Sequence, residues 1–97
     1  IGQYRVTKNV EPSLVDFSYH IKDYKAFELL YKMVKTEGLF LGSSSGVNVA
    51  GAIEMAKEMG PGKNIVTILC DDANKYFSKL YNKNYLLSKK LPVPDWL

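Results

Sequence analysis

Apolar residues fall into two spacings along this chain, one helical and one suited to short strands. Ala26, Phe27, Leu30, Tyr31 and Val34 recur at three and four residues, the spacing of one helix face. Asp23 suits the N-cap of that helix, because its carboxylate accepts from the free amides of a first turn, and Gly38 offers a left-handed stop. A second helix is predicted over about Gly46–Met59, ended by Gly60-Pro61-Gly62. Its first half, Val47, Val49, Ala50, Gly51, Ala52 and Ile53, carries little polar surface, so this end is expected to lie close against a neighbour. A third helix is expected over about Ala73–Tyr81, with Phe77, Leu80 and Tyr81 facing inward.

Between the helices lie short apolar runs. Phe17–Ile21 alternates loosely, and Leu39–Leu41 is too short for a helix. Ile65–Leu69 is a continuous run of the kind buried on both faces of a parallel sheet. The order β-α-β-α-β-α predicts an α/β fold with a parallel sheet and right-handed crossovers. Ile1–Asn9 reads as a loop into the body and Glu11-Pro12-Ser13 as a turn or helix entry. Residues 83–97, with Pro92 and Pro94, read as an extended tail that packs through Trp96.

With 97 residues, 46% of them hydrophobic and 24% charged, the chain has the composition of one globular unit, residues 1–97, and not of a disordered segment. A unit this small is marginal alone and gains from a larger partner surface. It opens on Ile1 and not Met, which reads as a processed product or a piece of something longer. The net charge of +3 is spread among interleaved acids, with only Lys89 and Lys90 adjacent, which argues against nucleic acid. Cys70 is the single cysteine, so neither an intrachain disulfide nor a zinc knuckle is available. No apolar run approaches the roughly 20 residues that cross a bilayer, and a soluble, cytoplasmic protein without membrane partners is expected.

Ligands of open α/β sheets bind beyond the C-terminal strand ends. Gly42-Ser-Ser-Ser-Gly46 and Cys70–Asp72 occupy that edge in the expected fold. The first offers three hydroxyls and free helix amides, which suit an anion or a polar ring, or simply a capped turn. No lysine follows it as in a Walker motif. His20, the sole histidine, lies in an expected strand and reads as a packed or surface residue, and no GxSxG accompanies it. Of the adjacent Asp71 and Asp72 at least one reads as a helix N-cap, Cys70 as a small residue at the sheet edge, and Tyr24, Tyr31, Tyr76, Tyr81 and Tyr85 as residues of the core rim. No metal site and no catalytic residue emerges.

Four stretches together resemble the C-terminal third of the cysteine synthases. They are Glu37-Gly-Leu-Phe-Leu-Gly-Ser-Ser-Ser-Gly46, Gly60-Pro-Gly-Lys-Asn-Ile-Val-Thr-Ile-Leu69, Tyr76-Phe-Ser-Lys-Leu-Tyr-Asn82 and the ending Leu91-Pro-Val-Pro-Asp-Trp-Leu97. Ile1-Gly-Gln with Arg5-Val-Thr looks like the family's Gly-Ile-Gly segment without its first glycine. The resemblance covers nearly the whole chain in order. It implies a three-layer, parallel-sheet segment of the fold-type II enzymes that use pyridoxal 5'-phosphate. The implied reaction is β-replacement on O-acetylserine, with sulfide displacing acetate to give cysteine. A cystathionine β-synthase-like segment shares the outline, and a non-catalytic binding or scaffold module cut from such an enzyme is the alternative of another class.

The resemblance also assigns residues. It implies that Ser44 hydrogen-bonds the pyridine nitrogen of the cofactor, a neutral contact that does not hold the ring protonated. The phosphate is implied to sit in a different, upstream loop, and Gly2 to line the substrate side of the pocket. Cys70 matches a position near the ring, while Asp72-Ala73 departs from the family's small residue and glycine. The family's Schiff-base lysine and its substrate-carboxylate loop have no counterpart here. The segment alone is therefore expected to be inactive, with the remainder of the enzyme chain as its first partner. A homodimer of the full enzyme and serine acetyltransferase are the other partners the resemblance implies.

Overall fold

The computed structural model describes residues 5–97, and its elements in order are α1 (Asp23–Glu37), α2 (Ser43–Met59), a short 3-10 helix (Ala73–Tyr76) and α3 (Lys83–Ser88). Helix α1 starts one residue earlier than its cap motif suggests. Lys22 holds the N-cap position with no side-chain bond, and Asp23 lies in the first turn, where its charge faces the positive end of the helix. At the other end Gly38 adopts φ 68°; its amide donates to the Val34 carbonyl and the Leu39 amide to that of Met33. Without a Cβ it enters the left-handed region at little cost.

Helices α1 and α2 pack against each other, and glycine sets how closely. A Cβ on Gly46 would lie 2.7 Å from Leu30 Cγ and 2.8 Å from the Ala26 carbonyl oxygen. Only a bare backbone fits there, as the small residues of α2 suggested. Beneath this contact the core gathers Ala26, Phe27, Leu30 and Tyr31 of α1 with Leu41, Ala73, Leu80, Tyr81 and Leu86. Tyr31 and Tyr81 meet edge to face at 6.0 Å, and Trp96 of the C-terminal segment stacks edge-on against Tyr31 and Phe40. Their hydroxyls are satisfied by main chain: Tyr31 donates to the Leu80 carbonyl and Tyr81 to that of Leu41, both at 2.7 Å. Phe77, expected inside, is half exposed.

The expected three-layer α/β architecture with a parallel sheet is not what forms. Among the described residues the only strand pairing is one isolated antiparallel bridge between Leu41 and Asp72. Phe17–Ile21 and Ile65–Leu69 pair with nothing among them. A strand has no hydrogen bonds of its own, so an apolar run of strand type becomes one only beside a partner. Val66 and Ile68 are accordingly 93% and 69% exposed, the reverse of a run buried on both faces. The expected third helix shrinks to the 3-10 helix and following turns, and the tail expected to be extended over 83–97 begins with α3 before it straightens.

Candidate functional site

The start of α2 is where the chain concentrates polar atoms in a buried setting. Gly42 is its N-cap and offers no side chain, so the capping must come from elsewhere. The main chain around Asp71 lies alongside. The Gly42 amide donates to the Asp71 carbonyl at 3.0 Å, and the Ala73 amide donates to the Phe40 carbonyl at 3.2 Å. Ser45, fully buried, also donates through Oγ to the Asp71 carbonyl, at 3.3 Å. A fourth tie runs lower on the helix, where Asn48 Nδ2 donates to the Ile68 carbonyl at 2.9 Å and approaches Cys70 Sγ at 3.4 Å.

The Asp71 side chain turns back onto the loop. Oδ2 accepts from the Tyr76 hydroxyl at 2.9 Å, while Oδ1 is buried without a hydrogen-bond partner. Its position fills the space beside Gly42: a Cβ there would run into the carboxylate and stand 2.6 Å from the Tyr76 ring. The hydrogen bond to Asp71, helped by partial burial, raises the Tyr76 phenol above its ordinary range, so it stays a donor. An anion thus already occupies the N-terminal end of α2 and comes from the chain itself. This weighs against a free phosphate at the same amides, because two anions there repel.

The three serines divide by burial. Ser43 and Ser45 face inward, and Ser44 between them is half buried in the first turn. A hollow of about 400 Å³ opens beside the loop, lined by Ile21, Asp23, Phe27, Ser43, Val47 and Leu80; Ser44 is not on its wall. The cap expected from the aspartate pair is Asp72, which accepts from the Asn74 amide at 3.0 Å. The Asp71 carboxylate instead pairs with Tyr76, five positions on, and lies against Gly42, a contact without local signal because it joins residues 29 positions apart. Cys70 and His20 are exposed, and Gly2 lies outside the described residues. No group of three or more metal-ligating side chains occurs among the described residues. No helix among them is long and apolar enough to cross a membrane.

No family model matches the chain. Individual curated proteins do. It is 42% identical over 97 residues to "Cysteine synthase 2" of Schizosaccharomyces pombe, which takes in 98% of this chain and 24% of the relative. The chain matches the C-terminal part of the cysteine synthase family. "Cysteine synthase 1" of Emericella nidulans is 44% identical over 93 residues, 94% of this chain and 25% of the relative. The "O-acetylserine dependent cystathionine beta-synthase" of Bacillus subtilis is 38% identical over 79 residues, 81% of this chain and 26% of that protein. The chain thus spans about a quarter of the length of these three relatives. The resemblance read from the Gly42–Gly46 stretch and the flanking motifs is the one the relatives bear out.

Proposed function

We propose that the chain works as the C-terminal part of a pyridoxal-phosphate-dependent cysteine synthase, which forms cysteine from O-acetylserine and sulfide. The observation that supports it is the match to cysteine synthases along 98% of the chain, with the serine turn set at the start of α2. When bound, pyridoxal phosphate supplies an electron sink for loss of acetate and addition of sulfide at the substrate's β-carbon.

Ser44 is the residue this chain brings to the cofactor. Its place in the motif is what assigns it this contact; Ser44 is half buried, while Ser45 is fully buried and Ser43 lines the neighbouring hollow. A neutral hydroxyl fits a pyridine nitrogen, to which it donates one hydrogen bond without adding charge. Gly2 is proposed to line the substrate side of the same pocket.

The rest of the pocket belongs to the remainder of the enzyme. None of the twelve lysines here matches the family's Schiff-base lysine, which the resemblance places upstream of this segment. The exposed apolar run Ile65–Leu69 is a surface that the remaining chain covers, which makes that chain the first partner. The full enzyme is proposed to be a homodimer able to bind serine acetyltransferase, and size measurement and pull-down test each part. The single cysteine of these 97 residues forms no internal disulfide, which supports a reducing cytoplasm as the location; cell fractionation of the full-length chain checks it. The Bacillus subtilis relative keeps cystathionine β-synthase chemistry as a second reading, separated by offering homocysteine in place of sulfide.

The test compares the full-length chain with these 97 residues alone, each equilibrated with pyridoxal phosphate, freed of unbound cofactor and divided, one portion reduced with borohydride for its mass and the other, unreduced, assayed for cysteine. The full-length chain is expected to gain the mass of the reduced cofactor and to make cysteine, and the 97 residues to do neither. Covalent cofactor and cysteine formation by the 97 residues alone would overturn this division of labour.

A further inference from the structure

We propose that Asp71 is the positioning residue of the serine turn and that Tyr76 holds its carboxylate in place. The proposal rests on the reading of Ser44 as the contact to the pyridine nitrogen. Three separate attachments join Asp71 to the turn. Its carbonyl oxygen accepts from the Gly42 amide at 3.0 Å and from Ser45 Oγ at 3.3 Å, and its carboxylate lies against the bare face of Gly42. Ser44 sits between the two residues that Asp71 ties down, so its hydroxyl direction follows from where Asp71 stands.

The carboxylate itself acts as a charge. Gly42 cannot cap α2 with a side chain, and the first amides of a helix carry partial positive charge. Asp71 places an anion there from a segment almost thirty residues away, and its buried Oδ1 makes no hydrogen bond to the helix. A buried carboxylate oxygen without a donor is costly unless a field offsets it, and the α2 terminus supplies that field. The Tyr76 hydroxyl, at 2.9 Å from Oδ2, fixes the carboxylate rotamer. Charge and position are thus both specified, and both act on the turn that carries Ser44. A structural role alone would need only the carbonyl bonds, which asparagine or alanine at position 71 would keep.

A double-mutant cycle on cofactor affinity in the full-length chain tests this. Ser44→Ala, Asp71→Asn and the double variant are titrated with pyridoxal phosphate, with the absorbance of the bound cofactor recorded for each. Both single changes are expected to weaken binding on the order of tenfold, and the double change no more than the stronger single one. Both are also expected to shift the absorbance of the bound cofactor in the same direction. If the two losses multiply, or if Asp71→Asn leaves affinity and absorbance unchanged, Asp71 does not act through Ser44 and the proposal fails. If Ser44→Ala changes nothing, the reading of Ser44 itself fails and takes this one with it. Should Asp71→Asn not fold, Tyr76→Phe takes its place in the cycle, since it removes one hydroxyl only and frees the carboxylate; additivity there overturns the proposal equally.

Discussion

Gly42 has a carboxylate where its side chain would begin. Gly42→Ala would push a methyl group into Asp71 and the Tyr76 ring, and neither can retreat without leaving the α2 terminus. Overpacking of this kind costs about 1–3 kcal/mol, which a denaturant melt reads as a lower midpoint. Tyr31 shows the opposite case, a polar group well housed. Burial, with a smaller contribution from Tyr81, pushes its phenol up to about 12 from the ordinary value of 10.0. The folded state therefore keeps the proton longer than the unfolded chain does. Stability from this group is fully present below the unfolded value and is lost as pH rises from about 10 through about 12. Tyr31→Phe is expected to cost roughly 1–2 kcal/mol at neutral pH, because the buried Leu80 carbonyl loses its donor. It should also flatten the loss of stability above pH 10, and melts at paired pH values check both effects.

At the scale of elements, α1 and α2 hold each other through Leu30 and the bare backbone at Gly46. Leu30→Ala empties the centre of that contact and is expected to cost about 2–5 kcal/mol, measured by chemical denaturation. These two helices were legible in the sequence because their signals are local: apolar spacing, Gly38 at φ 68° and Gly60 at φ 77°. Helix α2 starts three residues before the expected Gly46. Serines read as a turn, yet with Gly42 as cap they enter the first turn of the helix. The runs Phe17–Ile21 and Ile65–Leu69 have strand composition but no strand, since composition cannot supply the partner whose amides a strand needs. Ser44 was marked by a motif, whereas the role of Asp71 was hidden. Adjacent aspartates suggest caps, and only the folded chain shows one of them capping Asn74 and the other facing Gly42.

For the whole molecule, the exposed apolar run is the feature that most needs a larger body around it. Val66→Asp is expected to change the stability of the 97 residues by no more than about 0.5 kcal/mol, because Val66 is 93% exposed. In the full-length enzyme the same change is expected to lower yield and melting temperature sharply, since it buries a charge. Equal tolerance in both contexts would mean that the run is never covered. The central claim is that Ser44 serves a pyridoxal-phosphate cysteine synthase, and its most direct measurement is the cofactor dissociation constant and the rate of cysteine formation of the full-length chain, with and without Ser44→Ala. Cysteine from O-acetylserine and sulfide is expected in the unaltered chain, and weaker cofactor binding or slower turnover in the variant. No cysteine from the unaltered chain, or identical affinity and rate in both, would contradict it.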